Sequence, residues 1–266
     1  MPHEAFDLKR SEPLVARLRA EGILKNPPVV APIEDEDRYV VLDGTNRAVA
    51  MLALACPHIV VQVVDYDDPN LILDTWSHLV TDMPAEDFLN AVKSVDGLRI
   101  EIGTQLHARA ELARRQATAY MMLPGIPADH GHAAQLLYVA GDAHRRTAVL
   151  ARLVNPYQLR GRIHRVSTDH LDLLTPLYDH ITALVVFPRY EPSEIVELAR
   201  QGAYLPTGIT RHVIPGRALR LNFPLDKLFE DQPLEAKNAW LQEWVRGKLA
   251  RVEVRYYQES TYLFDE

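Results

Sequence analysis

Asp43, Gly44, Thr45, Asn46 and Arg47 stand together between two apolar runs. Val40-Val41-Leu42 before them reads as a buried strand, and Ala48–Leu54 after them as an apolar helix. A strand that turns through one glycine into a helix aims unpaired backbone N–H groups and the positive end of a helix dipole at one spot. That spot suits an anion, above all a phosphate. Asp43 sits where a metal ion or a transferring phosphoryl group would want a carboxylate. Arg47, one turn into the helix, can reach back to a phosphate oxygen. The same pattern also makes an ordinary turn, with Asp43 capping the helix and Arg47 pairing with an acid among Glu34–Asp37, a contact worth little.

Other residues could act beside this turn. Glu21 closes a helix expected over Ser11–Glu21, with Ser11 as cap and Gly22 as stop. A carboxylate there opposes the helix dipole, which favours a functional reason for it. Trp76, Ser77 and His78 form a second cluster, in which Trp76 could wall a pocket and Ser77 hydrogen-bond a ligand; an indole or imidazole can equally be core. Arg211 and His212 follow the irregular segment Pro206-Thr207-Gly208. A guanidinium there is shaped for two-pronged capture of a carboxylate, with His212 as a second donor. His130 and His132 stand close together, but no histidine spacing supplies enough ligands for zinc. The single cysteine, Cys56, allows no disulfide within the chain.

Mixed elements must position these groups. Strands are expected at Val29–Ile33 and Tyr39–Leu42, joined by the charged turn Glu34–Asp37, and at His58–Tyr66, Thr118–Leu123, Gln135–Ala140 and Ile181–Phe187. Helices are expected at Thr45–Ala55, Pro84–Val92, His107–Gln116, Ala143–Leu153, Pro192–Gln201 and Leu234–Leu249. Leu219–Leu221 and Val252–Leu263 read as strand. No regular βαβ spacing appears, so the fold class is α+β. A break between sub-domains is expected near Asn155–Gly161. Trp240 and Trp244, four apart, read as core or as a dimer contact, so a homo-oligomer stays open.

The totals set further bounds. The chain of 266 residues is 47% hydrophobic, enough for a sizeable core. A net charge of −7 and a pI near 5.9 argue against a nucleic-acid partner gripped by a general basic surface. No secretory leader or membrane-length apolar run is read, so a cytoplasmic protein with no membrane partner is expected.

The segment Glu21-Gly22-Ile23-Leu24-Lys25-Asn26-Pro27-Pro28-Val29-Val30, followed by Asp43-Gly44-Thr45-Asn46-Arg47, resembles the ParB/sulfiredoxin-like superfamily. Within it, Leu73–His78, Leu205–His212 and Ile214–Arg220 extend the likeness to the free L-serine kinase group, over most of the chain. The resemblance implies a ParB-like nucleotide-binding lobe at 1–75 and an α+β part at 76–266 that completes a serine pocket. It implies phosphoryl transfer from ATP or ADP, with Mg²⁺, to the hydroxyl of free L-serine. It makes Glu21 the general base and gives Asp43 the metal or a share in the proton. Gly44, Thr45, Asn46 and Arg47 become the phosphate cradle, and Trp76, Ser77, Arg211 and His212 the serine contacts.

Two other branches fit less well. Sulfiredoxin chemistry needs a cysteine in the phosphate turn, where Thr45 and Asn46 stand. Partition proteins add a helix-turn-helix, and no second helix precedes His144-Arg145-Arg146 at that spacing. The rival readings are a ParB-like nucleotide-binding regulator and a kinase for another small hydroxyl amino acid.

Overall fold

The strongly apolar run Ile181–Val186 lies inside a six-stranded antiparallel sheet, where burial on both faces demands such a sequence. The computed structural model describes residues 1–6, 8–128 and 131–257. Along the chain, α1 (Leu8–Glu21) leads to β1 (Ile23–Leu24), β2 (Val29–Pro32), β3 (Tyr39–Asp43), α2 (Thr45–Ala53) and β4 (Gln62–Val63). β5 (Ile72–Thr75), β6 (Ser77–Thr81), α3 (Ala85–Lys93), β7 (Leu98–Thr104) and α4 (Gln105–Ala113) follow. Next come β8 (Ala119–Ala128), β9 (Gly131–Val139), α5 (Ala143–Arg160), β10 (Arg162–Val166), α6 (Leu171–Leu174) and β11 (Ile181–Val186). The last elements described are α7 (Pro192–Gln201), β12 (Thr210–Val213), β13 (Phe223–Pro224), α8 (Asp226–Phe229) and α9 (Leu234–Ala250). The fold is α+β.

The chain forms two compact units, each assembled from separate stretches. The larger holds Met1–Ala5, Pro32–Val41 and Asp65–Val213. Its sheet runs in the order β10-β6-β11-β8-β9-β7, and β12 pairs with β5 in a separate ladder. Leu79, Tyr120, Met122, Leu136 and Leu184 fill its core. Each such buried apolar side chain contributes about 1.5–3 kcal/mol. The smaller unit holds Phe6–Ala31, Leu42–Val64 and the chain from Ile214 on. There α1 packs on α2, and β1 pairs with β13. Leu18, Leu24, Met51 and Phe223 form its core.

Several expectations need correction. Helix α1 starts at Leu8, so Ser11 lies inside it, and its hydroxyl donates to Asn46 Oδ1 at 3.3 Å. Gly22 does stop the helix, with φ +65°. Helix α5 runs through Asn155-Pro156 to Arg160, because buried Leu153, Val154 and Tyr157 hold that turn on the core; no sub-domain break falls there. The strand expected at His58–Tyr66 shrinks to Gln62–Val63, parallel to β2. Leu219–Leu221 is not strand; Phe223–Pro224 pairs instead. Residues 252–257 form no strand, and 258–266 lie outside the described residues. Trp240 and Trp244, as one of the two readings expected, stack on each other, edge against Phe223 and pack half-buried against the small unit's core. Among the described residues, no helix is long and apolar enough to cross a membrane.

Candidate functional site

Strand β3 ends at Asp43, and Gly44 turns the chain into α2 with φ +91°. That left-handed conformation is free to glycine and strained for other residues. A Cβ here would also sit 2.6 Å from the Arg47 guanidinium. No side chain caps α2. Asp43 therefore does not serve as a helix cap, and the first-turn N–H groups of α2 keep the anion-binding character expected of them.

Asp43 is held in another way. Arg47 Nη2 donates to Asp43 Oδ2 at 2.5 Å, and Arg217 Nη2 donates to the same oxygen. Two guanidinium groups on one carboxylate leave a net positive charge beside a helix N-terminus. The Arg47 Nε atom is buried without a hydrogen-bond partner, a donor still to be satisfied. Arg47 does not pair with the acids of Glu34–Asp37; among these Glu36 pairs with Arg38 and Arg200. Arg217 was missed as a site residue, because its role depends on contact with a residue far away in sequence. Gln62 sets it in place: its Nε2 donates to Gly216 O at 3.1 Å and its Oε1 accepts from Ala218 N at 2.8 Å. The adjoining Pro215-Gly216 turn was the available signal.

Glu21 is the last residue of α1, in the same unit as this turn. Lys25 Nζ donates to its Oε1 at 3.1 Å. That local i, i+4 pair steadies a carboxylate that the helix end disfavours.

In the larger unit a different cluster forms on the β5–β12 ladder. Arg211 stands opposite Asp74, and His212 opposite Leu73. The Arg211 guanidinium lies 4.4 Å from the centre of the Trp76 ring, and its Nη1 is 3.8 Å from Asp74 Oδ2. That second distance is a charge contact and not a hydrogen bond. Arg211 is thus oriented by an aromatic face and keeps donors for a ligand. Trp76 N donates to Ile209 O at 2.8 Å, which fixes the loop before β12. His212 Nε2 meets Tyr66 Oη at 2.9 Å. Burial raises the Tyr66 phenol above its ordinary pKa, so it stays protonated at neutral pH. His3 edges against His212 at 5.5 Å and meets Thr210 Oγ1 at 2.8 Å. Glu4 accepts from the backbone N–H groups of Gly208, Ile209 and Thr210 and from the Thr210 hydroxyl.

No protein-family model matches the chain. It is 27% identical to the ATP-dependent L-serine kinase SbnI of Staphylococcus aureus, over 99% of this chain and 93% of that protein. It is 24% identical to the ATP-dependent L-serine kinase of Staphylothermus marinus (86% and 87% covered). It is 22% identical to the ADP-dependent L-serine kinase SerK of Thermococcus kodakarensis (86% and 89%). The chain is a relative of the L-serine kinases. The fold agrees. A C-terminally truncated SbnI from Staphylococcus aureus superposes with TM-score 0.69 at 22% identity, covering 92% of each chain. A free serine kinase in complex with AMP gives TM-score 0.71 at 18% identity, covering 86% of this chain and 89% of that one.

The remaining predicted residues fall as follows. Ser77 opens β6, is buried, and pairs across the sheet with Val166. His78 is a core residue. It meets Tyr157 Oη at 3.0 Å and Gly208 O at 3.1 Å, and burial pushes its pKa down to about 4. A neutral His78 therefore helps hold the loop before β12 instead of titrating near pH 7. Cys56 is half-buried, donates to His58 O at 3.1 Å, and has its thiol pKa raised by burial, the opposite of a reactive cysteine. His130 and the side chain of His132 lie outside the described residues. Glu4 and His3 gave no sequence signal, since their partners lie some two hundred residues away.

Magnesium can be tested against the donor set. No group of three or more His, Cys, Asp or Glu that could hold a metal occurs among the described residues. A single carboxylate, Asp43, still fits Mg²⁺, which is commonly held by one or two carboxylates together with substrate phosphates.

Proposed function

We propose that this protein is a free L-serine kinase that transfers a phosphoryl group from ATP or ADP to the serine hydroxyl, giving O-phospho-L-serine. The observation that carries this reading is the uncapped N-terminus of α2 with Arg47 and Arg217 converging on Asp43. The likeness to L-serine kinases along almost the whole chain supports it. The nucleotide is assigned to the lobe of residues 1–75, joined by Arg217, and the α+β part at 76–266 completes the serine pocket.

The nucleotide phosphates take the backbone N–H groups of Gly44–Arg47. Arg47 turns its guanidinium from Asp43 to phosphate oxygens, and Arg217 adds a second positive charge. Mg²⁺ arriving with the nucleotide would be held by Asp43 and would neutralise phosphate charge. Arg211, oriented by Trp76, takes the serine carboxylate, with His212 and Ser77 as further contacts. Glu21 accepts the proton as the serine oxygen bonds to the terminal phosphorus and the bond to the leaving nucleotide breaks. Positioning and charge neutralisation supply most of the rate. The cytoplasm, where nucleotide and free serine are both at hand, is the assigned compartment.

The test is ³¹P NMR of the protein with L-serine, Mg²⁺ and either ATP or ADP, with homoserine and threonine in parallel. A phosphoserine resonance with one donor supports the reading and names the donor. Silence with serine, or product with another hydroxyl compound alone, overturns it.

A further inference from the structure

The two edges of the six-stranded sheet differ in chemistry. One edge, β10, carries Arg162 and Arg165 and no acid, a charge pattern that discourages a second strand from docking. The other edge, β7, carries one charge of each sign, Arg99 and Glu101, so no like-charge pattern repels a second strand. It holds no proline or lysine and runs seven residues. It pairs with β9 in unbroken register from Leu98↔Val139 to Thr104↔Ala133. Its outer side has no strand partner among the described residues. Ile102 on β7 is 83% exposed, and Leu106, at the start of α4, is 77% exposed.

The sequence of β7, Leu98-Arg99-Ile100-Glu101-Ile102, is complementary to itself when reversed. Side chains alternate across a strand, so Leu98, Ile100 and Ile102 share one face and Arg99 and Glu101 the other. Within one chain Arg99 pairs with Glu101 and lies 4.1 Å over the Tyr138 ring, so both charges are already ordered. Consider two copies of β7 pairing antiparallel about Ile100. Leu98 then faces the other copy's Ile102, Ile100 faces its own copy, and each Arg99 faces a Glu101. Sliding by one step that keeps the faces sets Glu101 against Glu101 in one direction and Arg99 against Arg99 in the other. Like charges directly opposite are destabilising. One register alone satisfies both faces.

We infer that β7 is the seat of a two-fold homodimer in which a second copy of this chain extends the sheet, with Ile100 at the symmetry axis. Sedimentation velocity of the full chain at tens of micromolar tests it. The wild type should sediment as a dimer. Arg99→Glu and Glu101→Arg, each alone, should be monomeric or dimerise at least about tenfold more weakly, since each creates two like-charge pairs. Mixed in equal amounts, these two variants should form a heterodimer, because opposite charges again face each other. Ile102→Lys, at an exposed position, should also be monomeric. A monomeric wild type overturns the inference. So do single variants that dimerise as the wild type does, or a mixture that stays monomeric. Circular dichroism melts of each variant establish that it is folded before it is compared.

Discussion

The turn proposed for the nucleotide phosphates and the Arg211 cluster proposed for the serine carboxylate are built differently. The turn is local: Asp43, Gly44 and Arg47 lie within five consecutive residues, and strand, glycine and helix fix their geometry. The Arg211 cluster is assembled from afar. Its members come from residues 3–4, 66, 74–76 and 208–212, joined by a strand ladder, a cation–π contact and a buried histidine. A local device can be recognised from its residues alone. A distributed one shows only its most characteristic side chains, here Arg211, Trp76 and His212, while Tyr66, Asp74 and Glu4 around them stay silent.

The predictions separate the two regions, and the chemistry from both. Glu21→Gln keeps the size of the side chain and removes the base. Turnover should fall about 10²–10⁴-fold with both substrates still bound; near-normal turnover in a stopped assay would remove Glu21 from that role. Arg211→Ala should raise the KM for serine about 10–100-fold and leave the KM for nucleotide unchanged. Arg217→Ala should do the reverse by about tenfold, and unchanged nucleotide affinity by calorimetry would return Arg217 to a purely structural pairing. Gly44→Ala places a side chain at φ +91° and should cost about 1–2 kcal/mol of stability, read as a lower Tm.

The smallest effect concerns His78. Burial depresses its folded pKa to about 4, below the ordinary histidine value of 6.5. Its contribution to stability is therefore full above pH 6.5 and is lost as pH falls toward 4. Thermal melts from pH 7 to 4.5 should show that loss, and His78→Gln should flatten it. A mutant with the wild-type slope would assign the acid sensitivity to other groups.

Legibility in the sequence followed the same division. The α+β class, strands β2 and β3, α2 and α7 were readable, because periodicity and turn residues are local signals. Strands β5, β7, β10 and β12 were not, since each depends on a partner far along the chain. Helix α5 overrode Pro156 because buried Leu153 and Tyr157 outweigh one missing N–H bond. In the candidate site, Asp43 and Arg47 were singled out by their spacing. Arg217, Tyr66 and Glu4 were not, because only folding brings them to their partners.

The decisive measurement is a crossed kinetic comparison of Arg47→Ala and Arg211→Ala, with the apparent KM for nucleotide and for serine determined for each. The account predicts that Arg47→Ala raises only the nucleotide value and Arg211→Ala only the serine value. Equal changes in both constants for either variant, or exchanged effects, would contradict it.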